Sequence, residues 1–107
     1  MPRAKDKLPP GVSRAVRAMC EDYDRRALEI ERGRLPPELV GGYMIMNAAI
    51  DAAIASCCEE GIRTEIRHDL AERRGETYTQ LYYLSPRTYK LRKSACKLAI
   101  AKALHLL

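Results

Sequence analysis

The 107-residue chain contains no Trp and no Phe. Its core must therefore come from Leu, Ile, Val, Ala, Met, Cys and the six tyrosines. No segment alternates convincingly with period two and there is no Asn-Gly or Asp-Gly dipeptide, which removes the usual signals of strands and hairpins. No cysteine pair has Cys-x-x-Cys spacing: the four are Cys20, Cys57, Cys58 and Cys96. On a helix, Cys57 and Cys58 point about 100° apart, so a zinc site is not expected and the thiols read as small hydrophobes. A Gly-rich phosphate loop, a paired-carboxylate motif and a Ser/His/Asp or Cys/His set are all missing. His68 and His105 fall in unrelated segments. These absences predict a protein that is not an enzyme and needs no cofactor or metal. Met1-Pro2-Arg3-Ala4-Lys5 opens no apolar signal region, which predicts a reduced, cytoplasmic location.

Acid is what the end of the chain lacks most. Beyond Glu76 there is not one Asp or Glu, while Arg87, Lys90, Arg92, Lys93, Lys97 and Lys102 are all present. Residues 35–60 show the reverse, with four acids and no Lys or Arg. The net charge of +5 is thus strongly segregated. A clustered positive field attracts a polyanion, whereas a dispersed one mainly confers solubility.

What remains is helical punctuation. At this length one modest core is expected, in a domain over residues 11–107 behind a disordered basic arm at 1–10 that ends in Pro9-Pro10-Gly11. A first helix is predicted from Ser13, as cap, to Arg32. It places Val16, Met19, Cys20, Tyr23, Ala27 and Ile30 on one face, with Glu21 and Arg25 as a four-residue ion pair. Gly33 ends it. A second helix, about Pro37 to Cys58, carries the stripe Leu39, Tyr43, Met46, Ile50, Ile54 and Cys57 and is expected at the centre of the bundle. The stretch Leu39–Cys58 matches a membrane span in length. Gly41, Gly42, Asn47, Asp51 and Ser56, with acidic flanks, favour a helix inside a soluble bundle. Gly61 breaks the pattern, and a third helix, about Ile62 to Arg74, buries Ile62, Ile66 and Leu70 with Asp69 among its solvent-side charges.

A short fourth helix, about Tyr78 to Tyr83, precedes Ser85-Pro86, a cap followed by proline in its favoured first helical position. Nothing breaks the pattern from Arg87 to Leu106. The fold class expected is all-α: a small helical bundle of about five helices ending in a helix-turn-helix (about 77–106) with a long C-terminal helix. Tyr89, Cys96 and Ile100, at spacings of seven and four, would anchor that helix. In a helix-turn-helix the front of the second helix enters the major groove. Arg87, Lys90 and Lys93, at three-residue steps, are the expected DNA-contacting residues, with Lys97, Thr79 and Gln80 as flanking phosphate contacts.

The run Thr77-Tyr78-Thr79-Gln80-Leu81-Tyr82-Tyr83-Leu84-Ser85-Pro86-Arg87-Thr88-Tyr89-Lys90-Leu91-Arg92-Lys93, closing with Leu98-Ala99-Ile100-Ala101-Lys102-Ala103-Leu104, resembles the C-terminal region of phage and prophage late transcriptional regulators of the RinA and ArpU type. That region is itself similar to the helix-turn-helix of sigma-factor region 4. In those proteins a Ser-x-Arg-Thr-aromatic stretch opens the recognition helix. Asn47-Ala48-Ala49-Ile50-Asp51-Ala52-Ala53 and Ile62-Arg63-Thr64-Glu65-Ile66 resemble the two helices that precede it there. The resemblance covers about residues 43–106. It implies a sequence-specific regulator of transcription, with double-stranded DNA as partner and RNA polymerase as a second. A homodimer would supply the specificity that one such motif lacks. Tyr82 and Tyr83 stand where many such motifs place a turn glycine. The competing expectation is a helical protein–protein interaction module or packaging adaptor that meets an acidic protein and does not read DNA.

Overall fold

Proline, glycine and one aspartate set the helix boundaries. The structure, a computed structural model, describes residues 8–72 and 85–107. In chain order its helices are α1 (Pro10–Glu21), α2 (Tyr23–Arg32), α3 (Pro37–Ala55), α4 (Arg63–Glu72) and α5 (Pro86–Ala103), with a 3-10 turn at Glu60–Ile62 leading into α4. Every regular element among the described residues is helical, as the sequence predicts. The expected short helix at Tyr78–Tyr83 and the turn after it lie outside those residues.

The single first helix expected over Ser13–Arg32 is two helices meeting at Asp22. Backbone hydrogen bonds still run through the junction, from Asp22 N to Ala18 O and from Arg26 N to Asp22 O, so the break is a local adjustment. Its start is three residues earlier than expected, because Pro10 needs no N–H in a first turn. No side chain caps α1, so the cap assigned to Ser13 is not made. Gly33 closes α2 at φ 69°, the left-handed conformation in which glycine has no steric penalty. The pairing expected between Glu21 and Arg25 is replaced by two others. Arg25 Nε and Nη2 both donate to Asp22 at 2.6 Å, and Arg17 approaches Glu21 at 3.6 Å.

One core joins Val16 and Cys20 of α1, Ile50, Ala53 and Ile54 of α3, Ile62, Ile66 and Leu70 around α4, and Tyr89, Cys96, Ile100 and Ala101 of α5. α1 packs chiefly on α4, and α3 on both α2 and α5. Three of the four free cysteines are buried and Cys57 is half-buried, consistent with thiols used as small apolar groups.

Three expectations fail in instructive ways. α3 is not the central helix: Leu39, Met44 and Ile45 are exposed, because α2 and α5 leave its remaining side open. α3 ends at Ala55 rather than Cys58, ahead of the glycine expected to stop it. By length and composition it could cross a membrane, and 22% of that stretch is buried in the protein. Its polar groups are nonetheless used inside the bundle. Asn47 accepts from Arg26 Nε at 2.7 Å and donates to Tyr23 O at 3.2 Å, while Asp51 accepts from the Tyr23 hydroxyl at 2.9 and 2.8 Å. Arg26 is only 2% exposed and is satisfied by Asn47, by Met19 O and by Asp22. Finally Asp69, expected at the surface, is buried, and its Oδ2 accepts the Tyr89 hydroxyl.

Candidate nucleic-acid interface

α5 begins as its sequence requires. Thr88 N donates to Ser85 Oγ at 3.1 Å, satisfying one of the orphan N–H groups of the first turn, and Ser85 Oγ also lies 3.0 Å from Thr88 Oγ1. Pro86 occupies the first helical position. Tyr89, Cys96 and Ile100 are fully buried, so the predicted anchors hold the helix on the core. α5 ends at Ala103 rather than running to Leu106, with His105 in the left-handed region at φ 59°.

The orientation of the core stripe fixes where the cations go. Tyr89, Cys96 and Ile100 lie within about 40° of one another around the helix, and Arg87 falls on nearly the opposite side. Each step of three residues falls about 60° short of a full turn. The series Arg87, Lys90, Lys93 therefore winds back towards the core and does not share one face. Accordingly Arg87 and Lys90 are exposed, while Lys93 and Lys97 are half-buried. Lys93 and Lys97 turn towards α1, where with Arg14 and Arg17 they line a cleft. Among the described residues, neither Arg87 nor Lys93 meets a carboxylate, and the first turn of α5 carries no acid. Thr79 and Gln80 lie outside the described residues.

Arg92 departs from the expectation that the charge of this segment is left for an outside partner. Its Nε and Nη2 donate to the two carboxylate oxygens of Glu59 at 3.1 and 3.2 Å. This side-chain hydrogen bonding holds the Glu59 carboxyl below its ordinary range and the Arg92 guanidinium above its own. The acidic end of the 35–60 segment thus neutralises one cation on the flank of α5 opposite Lys93. Sequence analysis missed this pair because nothing in the linear order brings residues 59 and 92 together.

Around this surface the cysteines are chemically quiet. Burial pushes the Cys20 thiol to about 11 despite the opposing fields of Arg67 and Arg26. Burial also raises Cys96, which sits 3.8 Å from Cys58. The described residues hold no cluster of three or more His, Cys, Asp or Glu suited to a metal ion. The arrangement can offer an electropositive helix front, with a helix N-terminus that favours anions. Comparison with family models, with curated proteins and with solved structures finds no match to this chain.

Proposed function

We propose that this chain is a sequence-specific DNA-binding regulator of transcription, of phage or prophage origin, acting in the cytoplasm with α5 as its recognition helix. The observation that carries the reading is the front of α5. There, an exposed Arg87 and Lys90 stand on a turn without acids, and neither Arg87 nor Lys93 meets a carboxylate among the described residues. In a major groove, Arg87 would reach guanine O6 and N7 with its two-pronged guanidinium, while Lys90, Lys93 and Lys97 neutralise phosphates. Thr79 and Gln80 would add phosphate contacts from the preceding helix. A homodimer or contact with RNA polymerase would extend the few base pairs that one helix reads.

The test is selection of bound sequences from a random double-stranded pool, followed by anisotropy titration of the selected site at several salt concentrations. A defined motif should emerge. Arg87→Ala should cost about 1–3 kcal/mol of binding at one base position and leave the thermal midpoint nearly unchanged. No enriched motif, or equal affinity for every duplex, would reject the reading.

A second reading, a protein-interaction or packaging adaptor, draws on different residues. Leu91 is exposed among the cations of α5, and Leu39, Met44 and Ile45 are exposed on α3. It requires that the purified protein elute free of nucleic acid and retain its protein partner after nuclease treatment.

A further inference from the structure

We propose that the cleft between α1, α4 and α5 binds a small oxyanion that also carries an O–H donor: hydrogen phosphate, free or as the monoester of a hydroxylated sugar. The cleft has a volume of about 400 Å³ and is lined by Ser13, Arg14 and Arg17 of α1, Asp69 of α4, and Lys93 and Lys97 of α5. Four cations around one concavity repel one another unless something answers their charge. Glu21 answers Arg17 alone, at 3.6 Å.

Two buried polar atoms state what the ligand must offer. Arg17 Nε is a buried donor with no acceptor, and Asp69 Oδ1 is a buried acceptor with no donor. Asp69 is 99% buried, being 1% exposed, and its other oxygen is already engaged by the Tyr89 hydroxyl. A native structure seldom leaves such atoms unmatched without a functional reason. An oxyanion supplies an acceptor to Arg17 and negative charge to Arg14, Lys93 and Lys97. It would be repelled by Asp69 unless it also brings a hydrogen to Oδ1. Hydrogen phosphate and a hydroxylated phosphate ester do so; sulfate at neutral pH does not. The cleft exceeds a bare phosphate and lies at the small end of ligand pockets, which run from about 300 Å³ upwards, so a phosphorylated sugar fills it better. The inference does not depend on DNA binding, although Lys93 and Lys97 belong to both surfaces.

The test is calorimetric titration of the full chain, without DNA, at pH 7.5 and fixed ionic strength, using ribose 5-phosphate, inorganic phosphate and sulfate. Ribose 5-phosphate should bind at one site and most tightly, and phosphate should bind at least about tenfold more tightly than sulfate. If phosphate equals or exceeds the sugar phosphate but still outcompetes sulfate, the ligand is free phosphate and the site stands. Asp69→Asn should abolish the preference over sulfate, because an amide presents a donor as readily as an acceptor. Should that variant fail to fold, Arg14→Gln with Lys93→Gln alters partly or fully solvent-facing groups and should weaken phosphate and ribose 5-phosphate about tenfold with an unchanged helical spectrum. Equal affinity for sulfate and phosphate, no saturable binding, or binding untouched by Arg14→Gln/Lys93→Gln would each overturn the proposal.

Discussion

Tyr89 gathers several physical demands into one side chain. Its ring is fully buried between α4 and α5, and its hydroxyl must find a partner there, which Asp69 provides. Removing that hydroxyl leaves a buried carboxyl oxygen without a donor, a loss larger than that of an exposed hydrogen bond. Tyr89→Phe should therefore cost about 2–3 kcal/mol in urea unfolding. Replacing both partners, as Tyr89→Phe with Asp69→Leu, should recover part of that loss. A double variant no better than the single would assign the cost to packing. Cys20 offers a second residue-level test. Its thiol is held protonated to about 11, against an ordinary value of 9.0. The folded state thus retains a proton that the unfolded chain releases. Its contribution is complete below pH 9 and is lost as pH rises towards 11, amounting to about 2–3 kcal/mol for a two-unit shift. Comparing Cys20→Ala with the parent at pH 8 and pH 11 isolates this effect from other alkaline titrations. The stability gap between the two proteins should shrink by about that amount.

At the scale of the element, α5 shows what could be read from the chain and what could not. Its start was legible because capping is local: Ser85, Pro86 and Thr88 settle it among themselves. Its buried stripe was legible because Tyr89, Cys96 and Ile100 follow helical periodicity. The position of Lys93 was also readable in principle, since the drift of a three-residue step is fixed by helix geometry. Asp69 follows the same logic. It lies seven residues after Ile62, within about 20° of it around the helix, so periodicity put it in the core while its charge suggested the surface. The buried Arg26 and the Glu59–Arg92 pair were not legible, because their partners are 21 and 33 residues away in sequence. The Ser85 cap also allows folding to be separated from recognition. Ser85→Ala should lower stability by about 1 kcal/mol. Ser85→Asp keeps a capping oxygen and suits the positive end of the helix dipole, so stability should be retained. Its negative charge would nonetheless face the DNA phosphates, and affinity should fall. If both variants lose stability and affinity in parallel, the cap only maintains the fold and the front of α5 does not meet a polyanion.

Across the whole molecule, charge is sorted more sharply than hydrophobicity. Residues 35–60 hold acids and no bases, residues 77–107 bases and no acids, and the fold brings α3 and α5 together. Their one printed meeting of opposite charge at the surface is Glu59 with Arg92. Both groups are solvent-accessible, and surface pairs of this kind add little to stability. The consequence for recognition is larger. While Glu59 holds Arg92, that guanidinium is not free to displace a counterion from a nucleic acid. Glu59→Gln releases it with hardly any change in shape. The thermal midpoint should stay close to that of the parent, whereas DNA affinity at low salt should rise. Binding should also become more salt-dependent, the log–log slope steepening by at most ~0.9 for one added phosphate contact. Arg92→Gln should leave both affinity and slope near the parent values, since it removes a cation already neutralised within the protein. A slope unchanged in Glu59→Gln, or a large loss of binding in Arg92→Gln, would mean that this flank of α5 meets its partner differently. Arg92 would then have to exchange Glu59 for the ligand on binding.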